Sequence, residues 1–218
     1  CGFASACASS AHAMGFAYDE IANGRQDKMF VVGGEDGNMR TLLPFVGMRA
    51  LSLNPDPQTA SRPFDKHRDG FVGTGGGVVA VLEEEESAIK RGAKIYARML
   101  GWGQASDGYN VAIPQPDGEG VIHAIKFALA SSGIGADEVD YINAHGTATH
   151  HNDLFETKAI KLRRIEGDKI CFWKQCKGND KLDKSDNRSR FVVGRGNGGC
   201  ILRARDERGL HPRIGAHL

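Results

Sequence analysis

Apolar and polar positions change their spacing several times along the chain. Between Ser9 and Asn23 the small and apolar residues Ala11, Met14, Phe16, Ala17 and Ile21 alternate with polar ones, and Gly24 stands where a C′ glycine ends a helix. Met29 to Val32 form a short apolar run closed by Gly33-Gly34, which reads as a strand. A second such run, Val78 to Leu82, follows the glycine cluster Gly73 to Gly77 and precedes the acidic Glu83 to Glu86. That acidic segment ends at Lys90-Arg91-Gly92; acid at its start and base at its end suit a helix dipole, so it reads as a solvated helix. Ile95 to Leu100 reads as a strand, and Asp107 to Gly120, with Pro114 and Pro116, as a loop. Val121, Ile125, Ala128 and Leu129 recur at helical spacing up to a stop near Ser132-Gly133. Asp137 to Ile142 then leads into the loop Asn143 to Thr147. Helices and strands in alternation predict an α/β fold, its sheets covered by helices. After about Phe172 the periodicity ends: Lys174 to Arg190 is polar and lysine-rich, and Arg203 to Arg208 has no apolar face.

Composition adds limits. With 218 residues, 40% hydrophobic and 25% charged, the chain is neither a disulfide miniprotein nor a disordered tail. No apolar run approaches the roughly 18–20 residues that span a bilayer. The net charge of +1 hides a reversal: residues 1–160 hold 13 basic against 20 acidic side chains, and the remainder 15 against 7. Such a break asks whether the two parts share an origin. Cys1 and Cys7 lie in the acidic part, and Cys171, Cys176 and Cys200 in the basic part. Five cysteines without a repeated spacing do not make a disulfide framework, and Cys171 and Cys176 are too far apart for CxxC. The chain opens on Cys1-Gly2-Phe3 with neither Met nor a signal-peptide pattern, which suggests a piece of something longer.

Two residues carry the candidate chemistry. Cys7, in Ser5-Ala6-Cys7-Ala8-Ser9-Ser10, sits at the start of the first helix, where the dipole and free N–H groups favour a thiolate and small neighbours admit a bulky thioester. The same string also suits a buried cysteine in a small-residue turn. His145 lies on the loop after a strand, a usual address for reactive groups in α/β proteins. A loop histidine alone is commonly a surface residue; with Cys7 it completes the minimum set for acyl transfer. His150, His151 and Asp153 are too close in sequence to ligate one metal comfortably, so no metal is expected. The run Gly70 to Gly77 precedes its strand instead of following one, which excludes a dinucleotide fingerprint and leaves close backbone packing as its role.

Three separated strings, SACASSAH at Ser5 to His12, SRPFDKHRDGFV at Ser61 to Val72 and DYINAHGTATHHNDLFE at Asp140 to Glu156, resemble the β-ketoacyl-acyl carrier protein synthases of the thiolase superfamily. In order and spacing they are similar to the elongating enzymes of type II fatty acid synthesis, closer to type I than to type II. The resemblance covers Cys1 to about Cys171. It implies a layered α-β-α, thiolase-like fold of which most of the N-terminal half is missing. Cys7 would take the acyl chain as a thioester, and His145 would help decarboxylate malonyl-acyl carrier protein and stabilise the enolate for Claisen condensation. Thr147 and Thr149 would contact the phosphopantetheine arm. Asp153 and Glu156 would support the site from the following helix, the glutamate as partner of the family's motif lysine. No cofactor or metal is implied, since phosphopantetheine arrives on the acyl carrier protein. The family further implies a cytoplasmic homodimer, with the strand near Met29 to Val32 pairing across the interface, and neither nucleic acid nor membrane as partner. A polyketide-type ketosynthase would share Cys7 and His145. A phosphate-binding role for the basic tail is the alternative from a different class, although Phe172, Trp173 and Phe191 offer few aromatics for stacking.

The resemblance ends where the family requires STKxxTGH, GAAG and a later GFGG loop, none of which is written here. Shifting the frame forward by one base changes this. Lys181 to Arg190 then permits SSTKATTGH, and Gly194 to Leu218 permits AAGTEAAFCALAMREGFIPGSAHI. Asn197-Gly198 allows only Met or Thr and His211-Pro212 only Ile or Thr, so the agreement is constrained at those positions; one codon too many separates the two segments. The expectation is a condensing-enzyme domain over 1–171 and, over 172–218, a basic, out-of-frame tail, non-native or disordered, with the frame changing between Cys171 and Asn179. A chain so read lacks the lysine, the second histidine and the GFGG loop, and is expected to be inactive.

Overall fold

The computed structural model describes residues 1–110, 113–139, 141–162, 171–172, 190–195, 198–204 and 215–217. Helix α1 spans Ser9–Ala22, β1 Lys28–Glu35, α2 Met39–Gly47, β2 Gly76–Glu83, α3 Glu85–Lys90 and β3 Ala97–Gln104. They are followed by α4 (Glu119–Ser132), β4 (Tyr141–Asn143), α5 (His150–Leu162), β5 (Cys171–Phe172), β6 (Arg190–Arg195), β7 (Gly198–Ala204) and β8 (Gly215–His217). One sheet carries all eight strands in the order β1-β2-β8-β3-β7-β6-β4-β5. β4 is parallel to both β5 and β6, and the other neighbours are antiparallel. The strands β6, β7 and β8 fall in the segment that showed no period in the sequence and correct the expectation of a disordered tail for these residues: β7 pairs with β3 and β6, and its Cys200 joins the main core.

Alternation along β3 shows that the sheet is covered on both faces. Trp102 points to α1, where a Cβ on Gly15 would enter its ring, and its Nε1 donates to Asp19 Oδ1 at 3.1 Å. Its neighbours Gly101 and Gly103 point the other way, where α4 lies so close that a Cβ on Gly103 would strike Ala124 O and Ala128 N. A bulge leaves Leu100 without a partner between Met99↔Leu202 and Gly101↔Ile201. The extra residue lets Met99 and Trp102 both face α1, while Leu100 packs on Ala128. The main core joins Ala17 and Ile21 of α1 to Val31, Ala80, Leu82, Met99 and Cys200. The layered α-β-α arrangement therefore follows from side-chain direction.

Sequence and structure agree on α1, whose end is marked by Gly24 at φ 66°, and on α4, which stops at Gly133 in the left-handed region. The acidic run needs correction in part: Glu86 faces solvent, but Glu83 and Glu85 do not. Glu83 is 0% exposed and pairs with Lys28 at 3.2 Å and Arg91 at 2.6 Å, and Glu85 is buried against Arg98. Arg91, hydrogen-bonded to Glu83, holds that carboxyl down to about 2 against the opposing effect of burial. The dipole reading holds in part, since Glu84 caps α3 by accepting from Glu86 N and Ser87 N. The glycine cluster has a packing role: Gly73 leaves room for Leu42, and Gly75 lies against Gly37 and Glu35.

Candidate active site

Cys7 occupies a 3-10 turn, Ala6–Ala8, that runs directly into α1. Ala6 has φ 45°, a left-handed conformation unusual for a residue with a Cβ, so the chain turns sharply just before the thiol. Ser9 closes the turn: its Oγ accepts from Ser5 N and donates to Ala6 O, both at 2.8 Å. Ala8 is buried beneath the turn, and Cys7 is exposed. The turn packs against β6, the strand beside β4, whose end delivers the His145 loop. A groove between residues 1–3, α1 and β1 is lined by Phe3, Phe16, Met29 and Val31, but neither Cys7 nor His145 lines it.

The His145 loop is held from below by α5. Glu156 Oε1 accepts from His145 N at 2.7 Å and Oε2 from Gly146 N at 2.9 Å. Burial pushes the Glu156 carboxyl above its ordinary range, the Gly146 and His145 donors oppose that shift, and Asp153 adds to it. Asp153, three residues earlier on α5 and 1% exposed, accepts from Phe64 N at 2.7 Å and Ala148 N at 3.1 Å. Thr147 Oγ1 and Thr149 Oγ1 share a hydrogen bond of 2.9 Å, and Thr149 Oγ1 accepts from Asn152 N in the first turn of α5. Gly146, at φ 51°, sits where a Cβ would be 3.0 Å from the Phe64 ring.

His145, Thr147, Thr149, Asp153 and Glu156 thus lie on one loop-helix unit, with Cys7 on a separate helix start. The resemblance made Glu156 the partner of a lysine; in this structure its carboxylate holds the histidine backbone. Among the described residues no group of three or more His, Cys, Asp or Glu side chains could hold a metal ion. The sequence reading assigned no role to Phe64 and Arg68, which bind the loop from the Ser61 to Val72 segment; their only signal was membership of that string.

A layered α-β-α sheet with a cysteine at a helix start and a histidine loop after β4 is the architecture of a ketosynthase. The chain aligns with a β-ketoacyl synthase from Burkholderia phymatum at a TM-score of 0.79 and 27% identity, covering 93% of this chain and 61% of that one. It aligns also with the structure of a type II PKS acyl-carrier protein in complex with its ketosynthase bound to the hexaketide, at 0.78 and 25%, covering 91% and 61%. Residues 1–88 match the N-terminal domain of beta-ketoacyl synthase and residues 96–176 its C-terminal domain; the chain belongs to the β-ketoacyl synthase family. It is 48% identical over 159 residues to 3-oxoacyl-[acyl-carrier-protein] synthase 2 of Synechocystis, covering 72% of this chain and 38% of that protein. Against synthase 1 of Escherichia coli strain K12 it is 45% identical over 168 residues, covering 76% and 39%. The chain spans about two fifths of the length of these relatives.

Proposed function

We propose that this chain is part of a 3-oxoacyl-acyl carrier protein synthase of type II fatty acid synthesis. The observation that carries the reading is the pairing of an exposed Cys7 at the start of α1 with a His145 loop fixed by Glu156. In the reaction so read, the Cys7 thiolate attacks the acyl thioester on the phosphopantetheine of acyl carrier protein. An acyl-enzyme thioester forms and the phosphopantetheine thiol leaves. Malonyl-acyl carrier protein then loses carbon dioxide, and His145 donates a hydrogen bond to the thioester oxygen on which enolate charge develops. The enolate carbon attacks the acyl carbonyl, making the new C–C bond and returning the Cys7 thiolate. Thr147 and Thr149 present their hydroxyls to the arm. The intact enzyme is read as a cytoplasmic homodimer that brings no cofactor of its own. The 3-oxoacyl-acyl carrier protein synthases matched at 45–48% identity support the fatty-acid reading.

The tail belongs to the same proposal: residues 1–171 hold the condensing-enzyme motifs, β6 to β8 beyond them complete the sheet, and between Cys171 and Asn179 the reading frame changes. The family match that ends at residue 176 supports this. The nucleotide sequence of the coding region tests it. Codons that spell STKATTGH one base out of register are expected, and codons incompatible with that string would end the idea.

A further inference from the structure

We infer that Arg68 is a positioning residue that latches the His145 loop to the Ser61 to Val72 segment. Its guanidinium serves three carbonyls at once. Nε donates to Thr149 O at 3.2 Å, Nη2 to His150 O at 2.8 Å and Nη1 to Asp65 O at 3.0 Å. Nε also lies 3.6 Å from Asp153 Oδ2, so the cation faces the carboxylate that binds Phe64 N and Ala148 N. Gly70 N adds a bond to Ala148 O at 3.0 Å. The two segments are more than 70 residues apart in sequence and are stitched across their whole facing edge.

The backbone shows why a latch is needed. Phe64 has φ 63° and Ala148 φ 66°, and both carry side chains that disfavour the left-handed region. Such residues persist where surrounding bonds over-determine them, and here both N–H groups end on the one Asp153 carboxylate. Arg68 neutralises that buried charge and pins the carbonyls on its far side. Only a planar fork reaches Thr149 O, His150 O and Asp65 O together; a lysine supplies the charge without the geometry. Loss of the fork frees the segment from Gly146 to Thr149, and with it the direction of the His145 imidazole and of both threonine hydroxyls.

The consequence for activity rests on the reading of His145 given above, but the latch is testable without it. On the full 218-residue chain, diethyl pyrocarbonate modifies His145 and the exposed His123, and peptide mass spectrometry gives the ratio of their rates at pH 7. Amide exchange is followed in parallel for 144–149 and for α1. Arg68→Gln is expected to raise the His145/His123 ratio at least about threefold and to speed exchange in 144–149 about tenfold, with α1 unchanged. Arg68→Lys, which keeps the charge beside Asp153, is expected to fall between Gln and the parent. An unchanged ratio overturns the latch. If Arg68→Gln loses protection in α1 as well, Arg68→Lys decides: loop-selective loosening supports the latch, whereas parental behaviour or uniform loss of protection overturns it. A frame-restored enzyme that keeps its condensing activity as His145→Ala would overturn the role of His145 and leave these ratios standing.

Discussion

Glu83 shows how far a single side chain departs from what its neighbours in sequence suggest. Set among four glutamates it reads as solvated; in the fold it is buried at the end of β2 and paired with Lys28 from β1 and Arg91 beyond α3. Glu83→Gln is expected to lower stability by about 1–3 kcal/mol in urea unfolding at pH 7, because the charged bonds to Arg91 and Lys28 are lost; the cost stays below that of a fully buried pair since both cations can turn to water. Its carboxyl titrates near 2 in the fold and near its ordinary 4.5 unfolded, so its contribution is complete above 4.5 and disappears as pH falls toward 2. The gap between variant and parent should therefore close over that window. The cysteines separate in the same way. Cys200 is buried, its thiol pushed up to about 12, whereas Cys7 is exposed. Iodoacetamide at pH 8 is expected to alkylate Cys7 at least about a hundredfold faster than Cys200, read by peptide mass spectrometry.

At the scale of elements, contact between β3 and α4 depends on glycines whose Cβ positions are filled by helix backbone. Gly103→Ala is expected to cost about 1–3 kcal/mol in the same unfolding assay by forcing α4 outward. The same glycines explain why β3 was only half legible. The apolar run reads as a strand only as far as Leu100, because Gly101 and Gly103 are poor in β-propensity; close approach of α4 keeps them in the strand to Gln104. α1 and α4 were legible because each has helical spacing and a left-handed glycine stop. α2, with Pro44 inside it and no buried residue, left no such signal. Cys7 and His145 were visible as residue types at element ends. Arg68 was not, because its partners are backbone carbonyls 81 and 82 residues away and no local pattern records them.

At the scale of the whole molecule, the β1–β2 edge of the sheet is left uncovered on one face by the described residues. On β1 and β2, Val31, Ala80 and Leu82 face α1, while Phe30 at 69% and Val32 at 67% exposure point to the other side, with Val79 opposite Val32 in the register. α4 covers β3 and β7 on that side but not this edge. An apolar patch on an edge strand favours association. Phe30→Ser with Val32→Thr is expected to reduce concentration-dependent light scattering while leaving the urea midpoint of the dispersed protein nearly unchanged. The charge reversal along the chain belongs to the same scale, since it falls close to where the family match stops. The most direct measurement uses protein expressed with the proposed frame change reversed and incubated with a long-chain acyl-acyl carrier protein. Peptide mass spectrometry is expected to find the acyl group on Cys7 as a hydroxylamine-labile thioester, absent from Cys7→Ala. Equal acylation of Cys7→Ala and the parent would contradict the assignment.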